Sequence, residues 1–175
     1  VSKKDTDDDF FNDFEEYNFG VNSANPLKKD TDGDGTWDGI DIDPLWDIKV
    51  TVDLINFTLL KSGAKPYFYI YVYGISYIQT PIVSTAYNIS TSLGNNYDFI
   101  EADISENTGG KTFMVKISAF DSNQQTGGAD SILKIYNSEG SWQTDYNIVD
   151  YPDEHEYSIS GDDGILNFKV KIIRE

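Results

Sequence analysis

Acidic residues alternate with other residues in two short stretches near the start of the chain. Residues 5–9 read DTDDD and residues 30–34 read DTDGD, so the two copies are offset by 25 residues. In a tight loop, residues two apart turn their side chains toward the same centre, so each stretch would gather its carboxylates around one point. Ca²⁺ is a hard cation that takes about six to eight oxygen ligands from carboxylates, carbonyls and water. The spacing therefore predicts two EF-hand-like loops that bind Ca²⁺.

Both stretches extend into a larger set of candidate metal ligands. In the second loop these are Asp30, Asp32, Asp34, Asp38 and Asp41, with the backbone carbonyl of Thr36. In the first loop they are Asp5, Asp7, Asp9, Asp13 and Glu16, with the backbone carbonyl of Phe11. Gly35 stands where the second loop must turn sharply, and glycine suits that position because it lacks a Cβ atom. Phe10 stands at the same place in the first loop, so that turn is either strained or follows a different backbone path.

A solvated acidic linker is the alternative interpretation of this segment, because runs of charge are usually exposed to water. Residues 1–47 hold 14 acidic residues and 4 lysines. A linker gains nothing from aspartate at every second position in two copies, and its acids would repel one another. We therefore predict that the segment is mobile without metal and that metal binding folds it.

The same residues resemble the calcium-binding repeats of the thrombospondin type 3 kind, in their bacterial and archaeal form. The matching text is DTDDDFFNDFEEYNFG at residues 5–20 and NPLKKDTDGDGTWDGIDIDP at residues 25–44. This resemblance implies a compact calcium-organised segment in a secreted or cell-surface protein, often a spacer beside a larger domain. It also implies that neighbouring repeats share ligands, which makes Asn12 and Asp43 additional candidates.

The secondary structure changes after the repeats. Residues 13–19 predict a short helix between the two loops, with Gly20 as its C-terminal cap. Beyond Trp46, short runs of β-branched and aromatic residues are broken by Gly, Asn and Ser, which is typical of an antiparallel β-sandwich. The predicted strands are 48–54, 67–73, 97–104, 112–120, 131–136, 156–159 and 165–172. We predict a mainly β protein, with a calcium-bound loop and helix repeat segment at residues 1–47 and a β-sandwich domain at residues 48–175.

The sandwich domain resembles a C2 domain. The resemblance is carried by residues 48–52, by residues 65–72 and by residues 119–123 followed by Asp130. It implies a sandwich that can bind calcium in loops at one end. Active members of that family have an aspartate before the Pro-Tyr pair, whereas this chain has Lys65, a cation in place of a ligand. Asp121, Asn123 and Asp130 remain candidate ligands for one ion there, and ordinary loop acids are the alternative.

Catalytic residues are not apparent in the sequence. His155 is the only histidine and lies among acidic residues, so we expect it to be exposed rather than to act as a general base. Trp142, Tyr146 and Tyr151 fall in a stretch rich in Gly, Asn and Asp. Exposed aromatic rings there could stack on sugars, and a place in the core is the alternative.

Composition limits the partners that the chain can bind. The formal net charge is −17, so we expect no nucleic-acid partner and no binding to anionic membranes unless metal ions bridge the two. Cysteine is absent, which excludes disulfides and thiolate metal sites. Residues 56–58 and 88–90 match the acceptor pattern for N-glycosylation, which is a feature of exported proteins.

Together these features predict a non-catalytic extracellular module, secreted or on the cell surface. In this interpretation Ca²⁺ rigidifies the repeat segment and positions the sandwich as an accessory part of a larger protein. The alternative function is a carbohydrate-binding or adhesion module with structural calcium. A hydrolase fragment is a third class, and it would require a pocket that gathers His155 or paired acids.

Overall fold

The computed structural model of the chain describes residues 4–18, 24–41, 43–72, 76–93, 98–103, 112–122, 129–147 and 154–174. The chain divides into two compact units. The first consists of Val1–Lys49, Asp103–Lys111 and Ile173–Glu175, and the second of Val50–Ala102 and Thr112–Ile172. Among the described residues, no helix is long and apolar enough to cross a membrane.

One short helix, α1, spans Asp13–Tyr17 in the first unit. Its N-cap is Asn12, whose side-chain oxygen accepts a hydrogen bond from the Glu15 N–H and so satisfies a donor that the first helical turn leaves free. The helix thus begins where the sequence predicts. Phe19 and Gly20, the predicted end and cap, lie outside the described residues.

Strands make up the rest of the described secondary structure. They are β1 (Ile48–Leu59), β2 (Pro66–Val72), β3 (Ser76–Gln79), β4 (Ser90–Ser92), β5 (Asp98–Asp103), β6 (Thr112–Asp121), β7 (Ser131–Leu133), β8 (Ser141–Asn147), β9 (Glu154–Ser160) and β10 (Gly164–Arg174). Each predicted strand has an observed counterpart, and the mainly β prediction is confirmed. The sequence missed β3 and β4, which are too short to show alternation, and β8, which lies in a stretch whose Gly, Asn and Asp residues indicated a loop.

The strands form two sheets. In the first the order is β4-β1-β10-β9, with β5 also paired to β1, and in the second it is β3-β2-β6-β7, with β8 also paired to β6. The pairings of β2 with β3 and β6, and of β6 with β7 and β8, are antiparallel, as is that of β9 with β10. Aromatic rings join the sheets: Phe57 of β1 packs edge-on against Phe68 of β2 at 5.1 Å between ring centroids. An antiparallel β-sandwich is therefore the fold of the second unit.

Alternation along the strands decides which side chains enter the core. In β1, Val50, Val52 and Leu54 are buried and the residues between them are not, because successive side chains point to opposite faces. The same rule places Trp142 and Tyr146 of β8 in the core, where Trp142 meets the Phe168 ring at 4.7 Å. The sugar-stacking interpretation of these two residues is therefore wrong. Tyr151, the third residue of that group, lies outside the described residues.

Candidate metal centre

Hydrogen bonds from backbone N–H groups to aspartate side chains shape the first loop. Asp5 accepts hydrogen bonds from the N–H groups of Asp8 (2.7 Å) and Phe10 (3.2 Å), one on each carboxylate oxygen. Asp9 accepts one from the Phe11 N–H at 2.7 Å. These bonds bring carboxylate oxygens of Asp5, Asp7 and Asp9 within 4.8 Å of one another. The predicted alternation thus gathers three acids at one point.

The second loop repeats this geometry. Asp30 accepts hydrogen bonds from the N–H groups of Gly33 (2.6 Å) and Gly35 (3.1 Å), and Asp34 accepts one from Thr36 at 2.6 Å. Carboxylate oxygens of Asp30, Asp32 and Asp34 lie within 4.8 Å of one another. Asp41 lies near enough for its charge to raise the pKa of Asp32, and one of its oxygens accepts a hydrogen bond from the Asp43 N–H.

Both loops follow the same backbone path despite their different residues. The second loop places Gly33 (φ +94°) and Gly35 (φ +103°) in the left-handed region. The first loop places Asp8 (φ +59°) and Phe10 (φ +80°) there. Aspartate tolerates this region, but an aromatic residue with a Cβ atom does so at a cost of about 1–2 kcal/mol. Of the two possibilities for Phe10, the strained turn is therefore observed.

The strain at Phe10 can be tested by comparing glycine with alanine at that position. We expect Phe10→Gly to be more stable than Phe10→Ala by about 1 kcal/mol in saturating Ca²⁺, because only glycine relieves the left-handed strain. Both variants lose the ring, so their difference in free energy of unfolding cancels the contact of Phe10 with Trp37 (5.9 Å between centroids).

The control for that comparison is the exposed helical residue Phe14. There alanine should be the more stable replacement, as is usual in a helix. If alanine is also preferred at position 10, the first loop is not strained as described.

A third group of acids forms where the two loops meet. It contains Asp9 and Glu16 of the first loop and Asp38 of the second, all three buried, with carboxylate oxygens within 4.8 Å of one another. Gly39 permits this close approach: a Cβ atom there would lie 2.5 Å from the Asp9 carbonyl oxygen. The sequence assigned Asp38 to the second loop, whereas the structure gathers it with residues of the first.

Asp13 occupies the position in the first loop that Asp38 occupies in the second, yet its surroundings differ. Each accepts two hydrogen bonds from the threonine near the start of its own loop, Asp13 from Thr6 and Asp38 from Thr31. Asp13 is partly exposed and lies 4.0 Å from the Lys4 ammonium. The hydrogen bonds from Thr6 lower the pKa of Asp13, while burial raises the pKa of Asp38.

Several buried carboxylate oxygens have no donor. Both oxygens of Asp7 and of Glu16, and one each of Asp9 and Asp32, accept no hydrogen bond from the described part of the chain. Burial, reinforced by the charges of Asp7 and Asp9, raises the pKa of Glu16 to about 7. Burial also raises the pKa of Asp32 to about 6. Unpaired buried carboxylates are costly, and a bound cation would compensate them.

The remaining candidates near the loops have protein partners. Asn12 caps the helix and its amide nitrogen donates to the Glu15 carboxylate. Asp43 lies 3.8 Å from the Arg174 guanidinium. Lys29 was not predicted to have a role; its ammonium donates to the Asp8 carbonyl at 2.7 Å and sits 4.6 Å above the Trp37 ring. A pair of lysines precedes each repeat in the sequence, at residues 3–4 and 28–29, and this was the signal that could have indicated it.

The predicted ion site in the sandwich has different chemistry. Asp121 accepts a hydrogen bond from the Lys65 N–H at 2.8 Å and lies 3.4 Å from the Lys61 ammonium. Asp130 accepts one from the Tyr67 hydroxyl at 2.7 Å, and burial together with this bond raises the pKa of Tyr67 to about 12. Asn123 lies outside the described residues. Protein donors thus satisfy the two described acids, as ordinary loop acids would be.

His155 is exposed on β9 and its ring lies 4.4 Å from that of Tyr157. It pairs in register with Val170 of β10, in a row of charged residues that includes Glu154 and Glu156. The described surroundings of His155 thus agree with the exposed position that the sequence predicts.

Comparisons with known proteins concern the sandwich. No family model matches the chain, and no curated protein matches it. A solved C2 domain is 12% identical and covers 71% of this chain and 97% of its own length, with a TM-score of 0.48. A C2 domain of plant Extended Synaptotagmin 1 is 14% identical and covers 74% of this chain and 95% of its own, with a TM-score of 0.43.

Human GIVD cytosolic phospholipase A2 is also similar, at 12% identity and a TM-score of 0.46. The match covers 74% of this chain and only 17% of the phospholipase. At these TM-scores the two-sheet architecture rests on the strand pairings of this chain itself.

Proposed function

We propose that the first unit is a two-site calcium-binding segment of the thrombospondin type 3 kind, folded by its ions. The observation that carries this proposal is the nature of its interior. Within the described part of residues 4–47, the only buried apolar residues are Ala24 and Pro44. Three acids, Asp9, Glu16 and Asp38, are buried as well. An interior built mostly of like charges cannot hold itself together by the hydrophobic effect. Cations among those charges would supply the missing stabilisation.

The first site would be held by the acids of the first loop together with one acid of the second. We assign to it Asp5, Asp7, Asp9, Glu16, the carbonyl of Phe11 and, from the second loop, Asp38. The oxygens of Glu16 and Asp7 that lack donors support this assignment. Asp38 would make the first ion depend on the second loop, so the two repeats would order together. Asp13, which bonds Thr6, would serve to shape the loop.

The second site would be held by Asp30, Asp32, Asp34, Asp41 and the carbonyl of Thr36. All donors in both sites are oxygens, and most are carboxylates. Such sets favour Ca²⁺ over Zn²⁺ or copper ions, which prefer nitrogen or sulfur ligands. Mg²⁺ retains several waters and is rarely enclosed by protein ligands alone. Ca²⁺ would supply structural charge compensation here, not catalysis.

Calorimetric titration of the metal-free full chain with Ca²⁺ tests the proposal. We expect two ions per chain. Amide hydrogen exchange, measured at points along the titration, should show that the first unit gains ordered structure as Ca²⁺ is added. Titration with Mg²⁺ at the same concentrations is the control for simple screening of charge. Absence of saturable binding would refute the proposal, and three or more ions would refute the assignment of two sites.

Asp38 and Asp13 provide a matched pair that tests the shared ligand. Asp38→Asn should weaken binding at the first site by at least about 10- to 100-fold, since removing even a residue that only supports a metal ligand costs that much. Asp13→Asn removes the same charge and alters an equivalent pair of threonine hydrogen bonds, one of which the amide oxygen can still accept, but at a partly exposed position. Asp13→Asn should therefore change the free energy of Ca²⁺ binding by no more than about 0.5 kcal/mol, the size of effect that surface substitutions usually have. Equal effects of the two substitutions in the calorimetric titration would contradict the sharing.

The wider role that we propose is that of a non-catalytic accessory module of an exported protein. Extracellular calcium modules bind with dissociation constants of about 0.1–1 mM, which suits sites that act as structure rather than as sensors. Because the chain has no cysteine, bound metal would take the place of disulfides in stabilising such a segment. We propose that the ions rigidify the repeats and so fix how the sandwich is presented to neighbouring domains. The acidic surface, with a net charge of −17, supports neither nucleic acid nor anionic membrane as a partner.

Carbohydrate binding with structural calcium is a second candidate, on different residues from those the sequence singled out. Tyr69 and Tyr71 of β2 and Phe120 of β6 are only half-buried. The Tyr69 hydroxyl donates to the Gln79 side chain at 2.9 Å, so rings and hydrogen-bonding groups occur together there. A glycan array probed with the calcium-loaded chain and with Tyr71→Ala separates the candidates. Binding that depends on Tyr71 favours a glycan module, and no binding favours a spacer.

A further inference from the structure

Two tripeptides of this chain have the sequence that N-glycosylation requires, and the structure places them in opposite surroundings. Asn56 lies in β1, an interior strand of its sheet, where it pairs in register with Ser92 of β4. Its side-chain oxygen accepts a hydrogen bond from the Asn167 amide at 2.7 Å, and the next residue, Phe57, is fully buried. A sugar on the Asn56 nitrogen would crowd the Asn167 amide that donates to its side chain.

Asn88 lies in a turn that follows β3 and precedes β4 in the chain. Its own N–H donates to the Leu59 carbonyl at 2.7 Å, and the following Ile89 N–H donates to Ala86. The backbone is left-handed there (φ +61°), a conformation that asparagine tolerates. Its side-chain amide is exposed and makes no hydrogen bond to any described residue. Ser90, the hydroxyl residue of the tripeptide, is also exposed.

The neighbours of Asn88 form an unusual surface for such a turn. Tyr87 is 59% exposed and Ile89 is 55% exposed. These two large apolar side chains flank Asn88 and leave exposed apolar surface that a covalent sugar would partly cover.

We propose that Asn88 is the N-glycan acceptor of this chain. The amide nitrogen of Asn88 attacks the anomeric carbon of a lipid-linked oligosaccharide, an N–C bond forms, and the C–O bond to the lipid diphosphate breaks. The amide loses one proton and the lipid diphosphate leaves with the bonding electron pair, so the step requires no oxidant or reductant. The inference rests on the export of the chain in the proposed function and is independent of its calcium sites.

Expression of the full chain behind a secretion leader in a host with oligosaccharyl transferase tests the inference. Intact-mass spectrometry should show one glycan per chain on the secreted product. Release with an amide-cleaving glycosidase should leave aspartate at position 88 and asparagine at position 56. Asn88→Asp keeps a residue that tolerates the left-handed backbone and should abolish the glycan. Ser90→Ala should also abolish it while leaving Asn88 in place, and Ser90→Thr should retain it.

Asn56→Asp is the matched control and should leave the glycan mass unchanged. A secreted wild-type chain without glycan, or a glycan that persists in both Asn88→Asp and Ser90→Ala, would overturn the inference. Calcium titration of the same secreted samples reports separately on the proposed function. Two calcium ions on an unglycosylated chain would refute the inference alone, and a glycan on a chain that binds no calcium would refute the proposed function alone.

Discussion

Replacing Glu16 by glutamine is expected to have opposite effects on stability with and without calcium. In a chelator at pH 8, where little of the first unit is folded, the variant should have a larger folded fraction than the wild type, because the substitution removes a fully buried charge whose oxygens have no donor. The rise of the Glu16 pKa from 4.5 to about 7 corresponds to a gain of about 3 kcal/mol in the free energy of unfolding. In saturating Ca²⁺ the variant should be less stable, because glutamine would offer the first ion one neutral oxygen in place of a charged carboxylate.

The pH dependence of the metal-free wild type should have the same origin. Glu16 has a folded-state pKa above that of the unfolded chain, so the folded state binds more protons between pH 4.5 and about 7. The contribution of Glu16 to stability in chelator should therefore be greatest below pH 4.5 and should be lost as the pH rises toward 7. In Glu16→Gln this dependence should be weaker. Calcium affinity of the wild type should change in the opposite direction, increasing with pH as Glu16 loses its proton.

Chemical denaturation at several pH values with Ca²⁺ or chelator measures these effects, followed by tryptophan fluorescence, to which Trp37 and Trp46 contribute from the first unit and Trp142 from the second. Glu15→Gln is the matched control: it makes the same chemical change in the same helix, at a residue that bonds Asn12 rather than facing the other acids. It should show no reversal between the two conditions. A loss of stability in Glu16→Gln of equal size with and without Ca²⁺ would show that Glu16 is an ordinary structural residue.

Removing the second site should destabilise the first unit only when calcium is present. We expect Asp32→Ala combined with Asp34→Ala to eliminate one of two ions from the calorimetric titration and to weaken binding of the other, because Asp38, assigned to the first site, lies on the second loop. An ion present at about 100 times its dissociation constant stabilises the folded state by about 2.7 kcal/mol, and this contribution should be lost. In chelator the double variant should equal or exceed the wild type in stability. The reason is that Asp32 is half-buried near other acids, and partial burial together with the charges of Asp34 and Asp41 raises its pKa to about 6.

Thermal unfolding of the wild type and the double variant, each with Ca²⁺ and with chelator, gives the four values that this prediction needs. Asp8→Asn is the control for the loss of charge, because Asp8 is exposed and is not an assigned ligand. It should behave alike in both conditions. Equal destabilisation of the double variant with and without Ca²⁺ would contradict an ion at the second loop.

The sequence determined the parts of this protein that depend on local spacing. Asp5, Asp7 and Asp9 converge because residues two apart in a tight loop face one centre, and Asp30, Asp32 and Asp34 converge for the same reason. Strand alternation likewise fixed the inward side of β1 and β6, since successive side chains take opposite faces of a sheet. In such cases the chain neighbours alone set the geometry.

Tertiary structure alone decided the features that join distant parts of the chain. Asp38 meets Glu16 because Gly39 lets the second loop approach the backbone of the first, a fit that no spacing within one loop encodes. Asp121 accepts a hydrogen bond from the Lys65 N–H, 56 residues away in sequence, and lies beside the Lys61 ammonium. Asn56 accepts a hydrogen bond from the amide of Asn167, which is 111 residues away and lies on a neighbouring strand. The strain at Phe10 was visible only once the backbone of both loops could be compared. A sequence specifies which groups are available; burial and contact between remote segments decide which of them are left without a partner, and those are the groups that a cation can bind.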